Sequence, residues 1–317
     1  MKGIRTAVII AIFIFVHATG LSAAGITHSA RLGLSSIWGE TSNNTFFREG
    51  ASRLEWPMNL QLVGTAYTID FFDVVEVVLG MHASPWISIG KPMRDYDWIN
   101  ESLSGLPRRA AHEGVDIYSE SIVDSKIYSY DGTIRFFPLK YQFASLGMLL
   151  SYQNRELDFR AFDTNQTGFG SWQDQTTGVS GPTSTYSVEY DIIQTGLSWR
   201  VHAGDSLKVT VDTSYIPYVR ALDEDNHIRR FRISRTKCTG DGRQLSLSMM
   251  FRLNKKWHIS SSCSKLDIDT DGHQKQFWYG NDPASNGYDD TGQVLTGIDA
   301  EIEQDSFHAG VSIGFDL

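Results

Sequence analysis

Two acid-rich stretches of this chain carry the residue types that water chemistry needs: Met93-Arg94-Asp95-Tyr96-Asp97-Trp98 and Asp223-Glu224-Asp225-Asn226-His227. On an extended strand, residues two apart project from one face, so Asp95 joins Asp97, and Asp225 joins His227, as two polar pairs. Three carboxylates and one imidazole so arranged could hold a water, take its proton and stabilise the charge that develops on a cleaved carbonyl. This chemistry requires strands that carry two segments, distant in sequence, onto facing walls.

Such strands are written along the whole chain as alternation of period two. Leu54, Trp56, Met58, Leu60 and Leu62 alternate with Glu55, Asn59 and Gln61. Leu245 to Leu253 and Phe307 to Leu317 repeat the pattern. In a soluble sheet the polar row faces water outside, whereas in an outer-membrane barrel it faces the lumen and the apolar row faces lipid. The 8 Trp, 13 Tyr and 17 Phe are enough for aromatic girdles at both interfaces. Tight turns at 70–73, 203–205 and 254–256 alternate with long polar connections near 91–124, 164–182 and 268–296. The pattern predicts an all-β fold: a ten-stranded antiparallel transmembrane β-barrel with strands near 26–42, 50–69, 74–94, 122–138, 140–161, 184–202, 206–224, 228–253, 256–268 and 297–317. Several of these exceed the ~9–11 residues that cross lipid, so the barrel should project above the membrane with both acidic stretches in its mouth.

Residues 1–24 read as a signal peptide: Lys2 and Arg5, an apolar run from Ala7 to Val16, then Ser22-Ala23-Ala24 before Gly25. The barrel then occupies 25–317. Beyond the signal, no stretch approaches the ~20 apolar residues of a membrane helix, which excludes a helical membrane protein. The balance of 37 Asp and Glu against 28 Lys and Arg argues against a nucleic-acid partner and fits a cationic ligand. Cys238 and Cys263 cannot form a disulfide framework and are expected as free thiols. No cofactor or metal is implied. Asp267-x-Asp269-x-Asp271-Gly272 opens like a calcium loop but reaches Trp278 where a bidentate glutamate belongs. Gly204-Asp205-Ser206-Leu207 has the letters of a lipase block but reads as a turn.

Together these motifs resemble the omptin family of outer-membrane proteases. The strongest marks are Asp95-Tyr96-Asp97-Trp98, similar to the family's Asp-x-Asp-Trp, and Asp223 to His227, similar to its Asp-x-Asp-x-His. Weaker marks are Ser52-Arg53-Leu54-Glu55-Trp56 and Ser151-Tyr152-Gln153. The resemblance implies an aspartic-type endopeptidase in the bacterial outer membrane, its active site facing the medium, that cuts cationic peptides or host proteins. It implies His227 as general base on a water held between it and Asp95. Asp225 would orient the imidazole, and Asp97 would support the site in protonated form. Asp223 matches an acid lining the pocket for a basic side chain. The family's partner glutamate falls in a stretch that reads Gly39-Glu40-Thr41-Ser42-Asn43 here, so Asn43 stands where the second carboxylate belongs. Preference for Arg or Lys should weaken unless Glu40 substitutes. Glu156 and Glu189 stand where the family uses arginines to bind lipopolysaccharide, which implies activity without it. The competing reading is a non-catalytic surface adhesin on the same scaffold. A passive porin is disfavoured because ten strands leave too narrow a lumen.

Overall fold

The structure, a computed structural model, describes residues 25–48, 50–99, 114–204, 206–283 and 288–317. The expected signal segment lies outside these residues. The strands are β1 (Ile26–Phe47), β2 (Gly50–Phe71), β3 (Val75–Ala83), β4 (Ile87–Ser88), β5 (Met93–Ile99), β6 (Ile117–Lys140), β7 (Ala144–Gly168), β8 (Thr177–Ala203), β9 (Leu207–His227), β10 (Arg232–Arg252), β11 (Trp257–Trp278) and β12 (Val294–Asp316). Every pairing is antiparallel, and β1 bonds to both β2 and β12, which closes the sheet on itself. Because β3, β4 and β5 all pair with β6, they are three pieces of one stave, giving a ring of 10 antiparallel strands. The closed ring leaves no open edge.

Below mid-height the outer face is apolar, as lipid requires: Leu34, Val63, Met148, Leu150, Leu245 and Val311 are all exposed. Phe72, Tyr141, Phe143 and Trp257 ring the short-turn end, and Trp38, Tyr130, Tyr152, Tyr215 and Phe307 ring the belt's upper limit. Above that girdle the outer face changes to ion pairs such as Arg235–Glu224 (2.8 Å) and Arg243–Asp267 (2.8 Å). With β7 at 25 residues against the ~9–11 needed to cross lipid, the upper half of the barrel stands beyond the lipid, in water.

The lumen is filled, not open. Its lower part holds the buried charges Glu76, Arg200 and Asp212 with the partly buried Arg135. Higher up, a plug draws a buried side chain from every stave, including Ile37, Trp56, Leu157, Tyr186, Ile216 and Ile302. Trp56 and Tyr186 stack at its centre, centroids 5.0 Å apart and rings 4° from parallel.

Two expectations need correction. The row Leu54, Trp56, Met58, Leu60 and Leu62 faces the plug rather than lipid. This part of β2 lies above the belt, where water outside and the packed core inside reverse the usual barrel polarity. The long connections are also shorter than predicted. β6 begins at Ile117, β7 runs to Gly168, β8 starts at Thr177 and β11 runs to Trp278. In the projecting rim both faces meet water or polar partners, so alternation fades while ladder hydrogen bonds continue. The Asp267, Asp269 and Asp271 triplet consequently lies on a strand of β11 and not in a loop. Cys238 and Cys263 are free, the first buried in the plug and the second only partly buried, paired with Leu247 and Ala309.

Candidate active site

β5 is short, and its two faces have separate tasks. On the outer face Tyr96 and Trp98 stack (centroids 6.2 Å apart) and pack with Ala51, Phe46 and Tyr118. That clasp fixes the strand's rotation and so aims the other face, carrying Met93, Asp95 and Asp97, into the mouth. Asp95 lies opposite Leu54 of β2 and Asp97 opposite Ser52, whose hydroxyl is 3.5 Å from Asp95 Oδ1. Burial pushes the Asp95 carboxyl well above the ordinary range, and the charges of Asp97 and Asp225 push it further. Burial also raises Asp97. Two such neighbours cannot both ionise cheaply, so ionising one opposes ionising the other.

The facing wall is the upper end of β9, four staves from β5 in the ring of 10. Asp223, Asp225 and His227 share its inner face. Asp225 lies opposite Tyr186 of β8 and Ser234 of β10, both buried. His227 Nε2 is 2.7 Å from Asp225 Oδ2. A neutral imidazole that turns an Nε2 proton toward this carboxylate would keep its Nδ1 lone pair for a water. Asp225 Oδ1 is buried without a hydrogen-bond partner. The two walls sense each other: Asp225 acts on Asp95, and His227 acts on Asp97. The arrangement combines an imidazole held against a carboxylate with a buried pair of carboxyls across a groove. Chemically it can polarise a water and exchange its protons.

Deeper in the mouth, Asp223 accepts a short hydrogen bond from Asn43 Nδ2 and another from the Thr236 backbone N–H at 2.8 Å. Burial nevertheless pushes Asp223 up to about 7. Gln274 Nε2 bonds Thr45 and Thr236, each at 3.3 Å, so amides and hydroxyls surround this carboxylate. Glu40 is not among them. Three residues from Asn43 on a strand, it turns to the outer face beside Ser42, Arg53, Glu303 and Asp305. It cannot supply the second pocket charge, and the expectation that it might is corrected by parity alone. Two arginines at the rim escaped sequence reading: Arg230 and Arg232 both act electrostatically on Asp95 and Asp97, and Arg232 is coupled to Asp225 as well. The available signal was the row Arg232, Ser234, Thr236, which alternates inward on the strand after His227.

A ten-stranded barrel whose projecting mouth sets an Asp-His pair against an Asp-Asp pair defines the class. The omptin family model matches residues 26–269, and the chain belongs to the omptin family. Among solved structures, the outer membrane protease OmpT from Escherichia coli superposes with a TM-score of 0.77 at 15% identity, covering 94% of this chain and 99% of that one. At this identity the likeness is one of fold. OprG, an outer membrane protein of Pseudomonas aeruginosa, gives 0.40 at 12% identity over 93% of this chain and 96% of that one. The translocator domain of the autotransporter NalP from Neisseria meningitidis gives 0.38 at 10%, over 99% and 97%. No curated protein matches the chain.

Proposed function

We propose that this chain is an outer-membrane endopeptidase with an extracellular groove, hydrolysing peptide bonds with a water activated by His227 and Asp225 against Asp95 and Asp97. The observation that carries the reading is the 2.7 Å His227–Asp225 contact facing the buried Asp95–Asp97 pair, whose carboxyls burial raises. Membership of the omptin family and the fold it shares with a protein described as an outer membrane protease support it. A water between His227 Nδ1 and Asp95 loses a proton to the imidazole as its oxygen attacks the scissile carbonyl. Asp225 stabilises the imidazolium, which then protonates the leaving nitrogen. No acyl-enzyme forms. Hydrolysis of an internally quenched peptide by the purified protein, abolished in Asp95→Ala, tests the reading. An inactive wild type, folded and able to bind host matrix, would favour the adhesin.

Substrates are peptides and proteins with a residual basic preference at the bond cut. Below pH about 7 the Asp223 carboxyl is protonated and the pocket neutral; above it the carboxylate can meet a guanidinium or ammonium. The ratio of cleavage after Arg to cleavage after a neutral residue is therefore expected to climb between about pH 6 and about pH 8. Asn43→Glu restores a second acid, raising that ratio by about tenfold at neutral pH. A peptide library scored at both pH values measures both effects, and ratios that move in neither experiment remove Asp223 from the pocket.

Lipopolysaccharide is not required in this reading. On the outer wall Glu156 stands opposite Glu189, while Tyr152 and Asn154 already donate to Asp191, at 2.6 and 3.0 Å. Anionic headgroup phosphates would meet carboxylates there. Lipopolysaccharide-free protein in detergent should change activity by less than about twofold when lipopolysaccharide is added, as weak exposed charge contacts allow. A many-fold rise contradicts this.

A further inference from the structure

We propose that Arg232 is a catalytic residue whose guanidinium receives the oxyanion of the tetrahedral intermediate. The inference rests on the hydrolytic reading above and adds a group to it. Arg232 opens β10 directly opposite His227 on β9 and Trp278 on β11. Ser234 and Thr236 follow it on the same face and are both buried in the mouth, so the Arg232 side chain enters the groove. The carboxylates of Asp225, Asp97 and Asp95 all act on it, which sets its charge between the two walls.

Among the described residues, the donors of Arg232 are uncommitted. Its Nε is buried without a hydrogen-bond partner, and among the described residues it forms no ion pair within 4.0 Å. Its neighbours differ. Arg230 Nε is held by Asp282 at 3.1 Å, and Arg229 Nη2 donates to the Ser180 carbonyl at 2.6 Å. A guanidinium beside several acids ordinarily locks into a forked pair with one of them. One left open in a groove awaits an anion that arrives with the reaction.

Peptide hydrolysis creates one such anion at the scissile carbonyl. As the water oxygen bonds to the carbonyl carbon and His227 takes the water proton, the C=O π pair moves onto oxygen. That negative charge arises among four carboxyl groups, and without a cation their field would oppose it. Arg232 N–H groups donate to it. When the lone pair returns to re-form C=O, the C–N bond breaks and the leaving nitrogen takes the proton from His227. The balance is one water consumed, one carboxylic acid and one amine released.

The test uses the full chain in detergent and a peptide capped at both ends, free of acidic residues. Arg232→Gln should lower kcat by about 10²–10³-fold, the effect of losing one oxyanion donor, with KM within about threefold of wild type. In Arg232→Ala, added guanidinium ion should restore part of kcat while leaving the wild type unaccelerated. Wild-type kcat in Arg232→Gln overturns the proposal. So does a loss confined to KM, which would make Arg232 a substrate anchor, or a loss that guanidinium does not relieve, which would make its role structural. Failure of the wild type to cleave any peptide would strike the protease reading itself; an active wild type with an active Arg232→Gln strikes only this inference.

Discussion

Replacing His227 by alanine is expected to lower kcat/KM for a peptide substrate by about 10³-fold or more, as loss of the proton acceptor does in other triad-like sites. Among the described residues, no other imidazole lies in the mouth. His258 lies buried at the opposite end with Asp316 3.3 Å from its Nδ1, and His308 packs against His82 in the lumen, 5.5 Å between ring centroids. Asp225→Asn should approach the same loss. An amide can present its NH₂ to Nε2 and so favour the tautomer that carries the proton on Nδ1, which removes the acceptor. It also leaves the imidazolium without its counter-charge. On the shared-water mechanism proposed above, Asp95→Ala combined with His227→Ala should cost little more than the worse single change. Steady-state rates on one fluorogenic substrate decide the matter. Near-additive losses, or Asp225→Asn within tenfold of wild type, as no tautomer-setting residue would allow, would remove the shared-water mechanism.

The barrel was legible in the sequence wherever one face meets lipid, since there every second residue must be apolar. Leu245 to Leu253 and Phe307 to Phe315 show this plainly, and the tight turns between such strands set the count. Legibility ended at the girdle. Residues 177–183 and 268–278 read as loops because both of their faces carry polar side chains, although β8 and β11 run through them. Leu54 to Leu62 misled in the other sense, showing lipid-like alternation while facing a plug. The acid pairs were legible because spacing by two on a strand carries its own geometry. Glu40 was misplaced although an odd separation from Asn43 puts it on the other face. Arg232 was invisible as chemistry because a single arginine at a strand start acquires meaning only from register, here its position opposite His227.

Removing Glu76 tests whether the lumen network carries the fold independently of the mouth. Its carboxylate, 7% exposed, accepts from Arg135 Nη1 at 2.8 Å, Arg200 Nη2 at 2.7 Å and Lys208 Nζ at 3.2 Å. Arg135 also reaches Asp212 Oδ2 at 2.7 Å, and Arg200 stacks on Phe137 with its guanidinium carbon 3.9 Å from the ring centroid. Glu76→Ala would leave three cations crowded inside a lipid-bounded lumen with one acid fewer. Breaking a buried network by deleting one partner costs about 3–5 kcal/mol, more than the network adds over an apolar replacement. The midpoint of urea unfolding in micelles should fall accordingly. Adding Lys208→Ala removes one of the stranded charges, so the double variant should lose less than the sum of the singles. Because the plug lies between this network and the groove, the folded fraction of Glu76→Ala should keep wild-type kcat. A loss below about 1 kcal/mol, the level of an exposed ion pair, would mean that water compensates these charges and that packing in the plug holds the barrel.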